Sequence, residues 1–286
     1  MDDLVVAEGS KLARRPTFVI QPTKGLTGIS IRELWSFRDL IIILAGRDVK
    51  LRYKQTALGV VWVIMQPVIA SLIFAVIFGL FAKLPSDGSP YLLFAFCGML
   101  AWGLFSAAVQ RGGASLVENA SLVSKTYFPR IIIPLSSTLS ALIDFCVSLA
   151  IMIVFMLVYQ VTPTWRLVTL PLFVFLAMLA AAGASLWLTA LNVYYRDFMY
   201  ALPFILQVWM YATPVAYATS MIPEAYRVWF SLNPMVGIVE GFRWALLGES
   251  SVTVSMLVAS TLVSGFVFIG GLIFFRRFER GFADTI

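Results

Sequence analysis

Residues 47–81 read RDVKLRYKQTALGVVWVIMQPVIASLIFAVIFGLF. A basic collar, Arg47, Lys50, Arg52 and Lys54, leads into residues 58–81, which carry no charge. As a helix that uncharged run rises about 36 Å, enough for a hydrocarbon core of about 30 Å. The collar also sets direction. Lys and Arg stay on the cytoplasmic side, so the chain is expected to cross outward here. Every later segment then has a side assigned to it.

The composition agrees. The 286-residue chain is 60% hydrophobic and 13% charged, about half the charge of a soluble domain. Lipid admits only helices or a closed barrel as spanning elements, and apolar runs of this length specify helices. The net charge of +6 comes from residues that flank apolar runs. That pattern suits topogenic charge and anionic lipid, and it argues against nucleic acid as a partner. The chain has no histidine, which excludes His-based catalysis and His-ligated metal. Cys97 and Cys146 lie in apolar runs and read as packing residues. The polar N-terminus carries no cleavable signal pattern, so the first span is expected to act as the insertion signal.

Residues 1–30 are polar and punctuated by Pro and Gly, and read as a cytoplasmic arm. Residues 31–45 (IRELWSFRDLIIILA) predict an amphipathic helix, with Ser30 and Glu33 as a capping box. Ile31, Leu34, Trp35, Ile42 and Ala45 share its apolar face. At about fifteen residues it is too short to span, so it is expected flat on the cytoplasmic surface or against a partner. Spans are expected at about 58–81, 91–109, 131–159, 167–193, 199–219 and 252–275. The fold class is therefore an all-α integral membrane protein with six transmembrane helices. Seventeen of the 21 basic residues then fall on the cytoplasmic side; the other four are Lys83, Arg166, Arg227 and Arg243. That bias places both termini inside. AAAGAS at 180–185 predicts close helix packing, and Pro67, Pro203 and Pro214 predict kinks.

Few residues could carry chemistry. Asp144 is the one carboxylate well inside an apolar segment. It reads either as part of a substrate path or gate, or as a buried hydrogen-bond node aided by Ser140 or Ser148. Residues 220–251 flank the breaker Asn233-Pro234 with two short amphipathic stretches, and read as a re-entrant hairpin in the outer leaflet or a hairpin lying in the headgroups. Glu240 and Arg243, three apart, could pair. Trp209, Tyr211 and Tyr217 are candidates for an aromatic lining suited to sugar rings. Residues 112–130 read as a cytoplasmic loop that either docks a partner through a short helix at 118–125 or merely connects. There is no phosphate-binding G-x-x-x-x-G-K-[ST] loop and no dinucleotide fingerprint, so any ATP must be hydrolysed by another chain.

Several segments together resemble the type-2 ABC transporter permeases that export O-antigen, capsule and teichoic acid. They are RELWSFRDLIIILAGRDVKLRYKQTALGVVWVIMQP, SKTYFPRIIIPL, LNVYYRDF, NPMVGIVEGFRWALLG and FRRFERGFADTI, in this order and covering roughly residues 31–286. The N-terminal arm departs from the pattern. The resemblance implies a homodimer whose interface forms the channel, with two copies of a separate cytoplasmic ATPase beneath it that bind ATP and Mg; this chain itself would bind no cofactor. It implies ATPase coupling through the surface helix (Glu33, Trp35, Arg38) and the loop at 118–127 (Glu118, Asn119, Ser124, Lys125). It makes the 223–247 hairpin an outer gate. The cargo it implies is a polysaccharide on a lipid carrier, with Arg47, Lys50, Arg52 and Lys54 placed for its phosphate at the cytoplasmic mouth. Channel or gate residues are then Trp62, Asp144, Trp209, Tyr211, Tyr217, Asn233, Glu240 and Arg243. The expected location is the bacterial inner membrane. Alternatives are efflux of a small hydrophobic molecule, or a membrane-embedded glycan-processing enzyme, which would need more inward carboxylates than Asp144.

Overall fold

The computed structural model describes residues 35–54, 59–126, 128–248 and 253–282. The expected arm at 1–30, the Ser30–Glu33 capping box and Tyr127 lie outside the described residues. In chain order the helices are α1 (Arg38–Lys54), α2 (Gly59–Phe74), α3 (Tyr91–Glu118), α4 (Ala120–Lys125), α5 (Ile132–Leu139) and α6 (Ala141–Val158). They continue with α7 (Leu170–Tyr194), α8 (Phe198–Tyr211), α9 (Glu224–Phe230), α10 (Pro234–Leu246) and α11 (Val254–Phe278). A π-helical stretch, Ala75–Phe81, extends α2, and a 3-10 turn, Trp165–Thr169, precedes α7. Among the described residues there is no strand. Among the described residues, five helical segments are long and apolar enough to cross a membrane: Val61–Phe81, Tyr91–Glu118, Ile132–Val158, Trp165–Tyr194 and Val254–Phe278.

The segment expected as a further span, 199–219, is shorter than its composition suggested. Helix α8 has 14 residues, about 21 Å of rise. Thr213 precedes Pro214, and a residue before proline is kept out of the helical region. The Thr213 hydroxyl also donates to the Trp209 carbonyl at 2.8 Å, which satisfies a helix-end acceptor.

Helix α3 is the hub, packing against α5, α6, α7 and α10. It outlasts the expected boundary at residue 109 and runs to Glu118, so Arg111 belongs to the helix and not to the following loop. The cause is close packing. A Cβ on Gly112 would meet Ser185 Oγ at 2.5 Å and Thr138 Oγ1 at 2.6 Å, so a glycine lets α5 and α7 reach the α3 backbone. Within lipid, such approach and interhelical hydrogen bonds hold helices together. The AAAGAS run behaves as expected: Ala180, Ala181 and Ser185 are buried.

The expected third span is split at Ser140 into α5 and α6. Hydroxyls bond back to their own helix there: Ser136 to Ile133 O at 2.8 Å, Thr138 to Pro134 O at 2.7 Å and Ser140 to Ser137 O at 2.7 Å. Such back-bonding competes with the helical ladder. Helix α2, by contrast, stays helical through Pro67. Its ladder lacks the Pro67 donor and changes register at the π-helical stretch, where the Ala82 N–H bonds Ile77 O at 2.9 Å.

The part of the expected surface helix at 31–34 lies outside the described residues, and α1 carries the whole collar to Lys54. The Leu44 side packs on α5, while Trp35, Ile42 and Ile43 point away from the protein. The bundle thus has two ends. The collar end joins α1, the start of α4, α5 and the small core Leu116, Ile131, Val193, Phe275 and Phe282. The hairpin end joins the starts of α3 and α7 to residues 212–222 and α10.

Candidate functional site

At the collar end the structure gathers four side chains that the sequence scatters. Arg52 and Tyr53 lie on α1, Arg111 on α3 and Asp144 on α6. Tyr53 donates to Asp144 Oδ1 at 2.5 Å, Arg52 Nη1 donates to Oδ2 at 3.1 Å, and Arg111 Nη2 donates to the same Oδ2. Arg111 Nη1 donates to Ser140 Oγ at 3.1 Å. Burial, then the Asp144 carboxylate, push the Tyr53 phenol up to about 12. It therefore keeps its proton, and donates, throughout the physiological range. Two guanidiniums thus face one carboxylate.

The Asp144 reading is thereby sharpened. Its partners are two cations and the Tyr53 phenol, from α1 and α3, while Ser140 supports it only through Arg111. The signal was present in the sequence: a lone carboxylate in one span and a lone arginine, Arg111, just past the expected end of another.

A cavity of about 280 Å³ opens beside this cluster, between α3, α7 and α8, with Arg52, Arg111, Glu118 and Asn192 on its wall. Arg47 does not face it. Its guanidinium bonds Asp48 Oδ1 at 2.8 Å and Asn119 Oδ1 at 2.6 Å, tying α1 to the start of α4. Asp48 in turn accepts from Ser137 at 2.8 Å. Lys50 and Lys54 are exposed. Glu118 is exposed where α3 ends, and Ser124 and Lys125 are exposed on α4. Trp35 is exposed beneath the Arg38 guanidinium, 5.7 Å from its ring. Glu33 lies outside the described residues.

The hairpin end holds a different pair. Arg243 Nη1 donates to Glu240 Oε1 at 2.8 Å, and both side chains are sealed, at 1% and 0% exposure. Thr219 donates to the same carboxylate oxygen at 2.8 Å, and Arg243 Nη2 donates to Val215 O at 2.8 Å. The guanidinium lies 3.6 Å from the Phe94 ring centroid. A Cβ on Gly98 would meet Val215 O at 2.6 Å, so α3 also needs a glycine where residues 212–222 cross it. Asn233 caps α10 by accepting from Met235 N at 3.1 Å, and its Oδ1 also accepts from the Trp209 indole at 3.0 Å. Trp209 is half-buried against Phe105 and Trp102. Tyr217 donates to Tyr211 O at 3.3 Å, and Tyr211 itself is exposed. Trp62 is exposed on α2. Sequence spacing found the Glu240–Arg243 pair; it did not show that residues 212–222 close over it.

Among the described residues, no three His, Cys, Asp or Glu side chains come together in a way that could hold a metal ion. The helices, their apolar lengths and the charged clusters at the two ends define a multi-pass membrane protein. The ABC-2 type transporter family matches residues 39–247, and the chain belongs to that family. It is similar to the O-antigen export system permease protein RfbA of Myxococcus xanthus, 29% identical over 258 residues, covering 90% of this chain and 98% of that protein. It is 28% identical to the protein of the same name from Klebsiella pneumoniae, over 87% of this chain and 95% of that one. The polysialic acid transport protein KpsM of Escherichia coli is 24% identical over 82% of this chain and 91% of its own length.

Proposed function

We propose that this chain is the membrane permease subunit of an ABC exporter that moves a lipid-linked polysaccharide outward across the bacterial inner membrane. The observation that carries the reading is near full-length similarity to permeases named for O-antigen export and polysialic acid transport. Two copies of the chain form the channel, and two copies of a separate ATPase drive it. The exposed stripe Tyr200, Phe204, Val208 and Tyr211 on α8 suits the channel wall, because aromatic faces accept sugar rings. Trp62 on α2 and Tyr217 are further aromatic candidates for the wall. Six crossings count α8 with residues 212–219 as a span, and the positive bias of the collar side supports cytoplasmic termini. Residues 220–248 form the re-entrant outer gate, with Asn233, Glu240 and Arg243 holding its closed form.

The ATPase docks on Trp35 and Arg38 of the surface segment, together with Glu33, and on Glu118, Asn119, Ser124 and Lys125. The Arg47–Asn119 bond lets α1 and α4 move as one piece. The carrier phosphate is drawn in by Lys50, Arg52 and Lys54, with Arg47 behind them.

The test is a strain whose only copy of the gene is deleted. Surface polysaccharide should vanish, lipid-linked glycan should accumulate inside, and the intact gene should restore both. Unchanged surface glycan with lost efflux of a hydrophobic dye would replace this reading with the small-molecule one.

A further inference from the structure

Helix α11 is followed by a 3-10 turn, Glu279–Gly281, and Phe282 after that turn is fully buried. The Phe282 ring lies 5.3 Å from Phe275 and 6.0 Å from Tyr194, inside the small core with Leu116 and Ile131. Leu122 and Val123 of α4 rest on the same core. The polar side of the turn meets the segment that joins α4 to α5. The Arg130 backbone N–H donates to Glu279 Oε1 at 3.2 Å, and Arg130 Nη1 donates to Glu279 O at 2.5 Å. That carbonyl also accepts from the Phe282 N–H. One oxygen thus ties the buried ring to Arg130. Arg276 Nε, 3.9 Å from Glu279 Oε2, holds the carboxylate from its other side. A guanidinium at a helix C-terminus also meets the negative end of the helix dipole.

These contacts join residues 149 apart in the chain, and they give α4 a second tie. At its start Asn119 is bound by Arg47 of α1. Beyond its end Arg130 is bound by Glu279. Helix α4 has only six residues, too few to hold a shape alone, so the ties at its two ends decide how it is presented. The second tie leads into α11, whose 25 residues make about 38 Å of helix. Toward its other end α11 supports the hairpin. The Gly237 N–H donates to Ser260 Oγ at 3.1 Å, and a Cβ on Gly237 would meet that oxygen at 2.6 Å.

We infer that Arg130, Glu279 and Phe282 are positioning residues for coupled transport: the C-terminal turn fixes the segment after α4, and through it α11 follows a displacement of that segment. The inference rests on the proposed docking of an ATPase at α4. It goes beyond that docking, because these three side chains are buried or half-buried behind the exposed Ser124 and Lys125. A turn that served only to end α11 would need the Arg276–Glu279 pair and not Arg130.

The test uses the full chain co-purified with its ATPase subunit. It reads the ATPase retained on the chain, the ATP hydrolysis of the complex, and surface polysaccharide on the same cells. Glu279→Ala frees the Arg130 N–H. It should keep ATPase retention and hydrolysis within about twofold while surface polysaccharide falls about threefold or more, the scale on which residues remote from both sites alter coupling. Glu279→Gln should recover most of the export, because the amide keeps a carbonyl oxygen for the Arg130 N–H and loses only the charge that Arg276 answers. Arg130→Ala combined with Glu279→Ala should export no less than either alone, since both remove one contact. Arg130→Lys keeps the backbone N–H and the charge, and covers the case in which Glu279→Ala does not accumulate. It should lower export about twofold at unchanged hydrolysis, because the planar fork to Glu279 O is lost. Wild-type export from Glu279→Ala, or from Arg130→Lys where the alanine variant does not accumulate, would overturn the inference. So would hydrolysis falling in step with export, or Glu279→Gln behaving as Glu279→Ala; either result makes the turn a plain helix terminus. A wild-type chain that retains no ATPase would remove the docking reading itself, and the inference with it.

Discussion

Each end of the bundle carries arginine and carboxylate, yet the two clusters are built differently. At the hairpin end Glu240 and Arg243 sit three apart on one helix, sealed at 0% and 1% exposure, and bond Thr219 and Val215 O around them. At the collar end Asp144 is 16% exposed, meets cations from two other helices, and borders a cavity. The first arrangement has one cation per anion and no way in. The second draws its partners from other helices and has an opening. A sealed pair on one helix fixes a fold, because breaking it strands a charge away from water. An open cluster shared by three helices can exchange partners and be felt by all three. The difference separates a sealed pair from an open cluster beside a cavity.

Breaking the sealed pair should have the largest effect. Glu240→Ala or Arg243→Ala alone leaves one buried charge, and should cost about 3–5 kcal/mol. Thermal unfolding in detergent would read this as a large fall in Tm or failure to accumulate. Replacing both by methionine should recover most of the loss. Single variants as stable as the wild type would contradict this role for the sealed pair. Next in size, Asn233→Ala removes the α10 cap and should cost about 1 kcal/mol or somewhat more, since the Trp209 indole also loses its acceptor. The same melting assay checks it, and the fluorescence of Trp209 should shift with its surroundings. Smallest is the half-buried tie between Arg47 and Asn119. A double-mutant cycle to alanine should give a coupling of under about 1 kcal/mol in stability. Its effect on ATPase co-purification should be larger than its effect on Tm, because the bond links α1 to α4 and buries little.

The fold was largely legible because lipid restricts the alternatives. Uncharged runs such as 58–81 admit helices only, and small residues at 180–185 mark a face that must pack. What was not legible came from long-range polar contacts. The extension of α3 to Glu118 depends on Gly112 meeting Ser185 and Thr138 from other helices, which spacing along one helix cannot express. The break at Ser140 depends on hydroxyls choosing their own backbone over a neighbour. The Glu240–Arg243 pair was visible as a local i, i+3 spacing. The Arg111–Asp144 pair, 33 residues apart in the chain, was visible only as two lone charges in apolar surroundings. Arg47 was grouped with Lys50, Arg52 and Lys54 by sequence proximity, whereas its helical position turns it toward Asn119.

The most direct test of the account compares Asp144→Asn with wild type in two measurements on the same preparation of cells: surface polysaccharide, and Tm of the purified protein. The side chain keeps its shape and loses its charge, so the melting point should fall by no more than the loss of charge-assisted hydrogen bonds implies, about 1–3 kcal/mol. Surface polysaccharide should fall about tenfold or more, a change equivalent to ~1.4 kcal/mol or more in the transport step. Wild-type surface polysaccharide from a chain carrying Asp144→Asn would show that the collar-end cluster is a structural node like its counterpart, and would contradict the account.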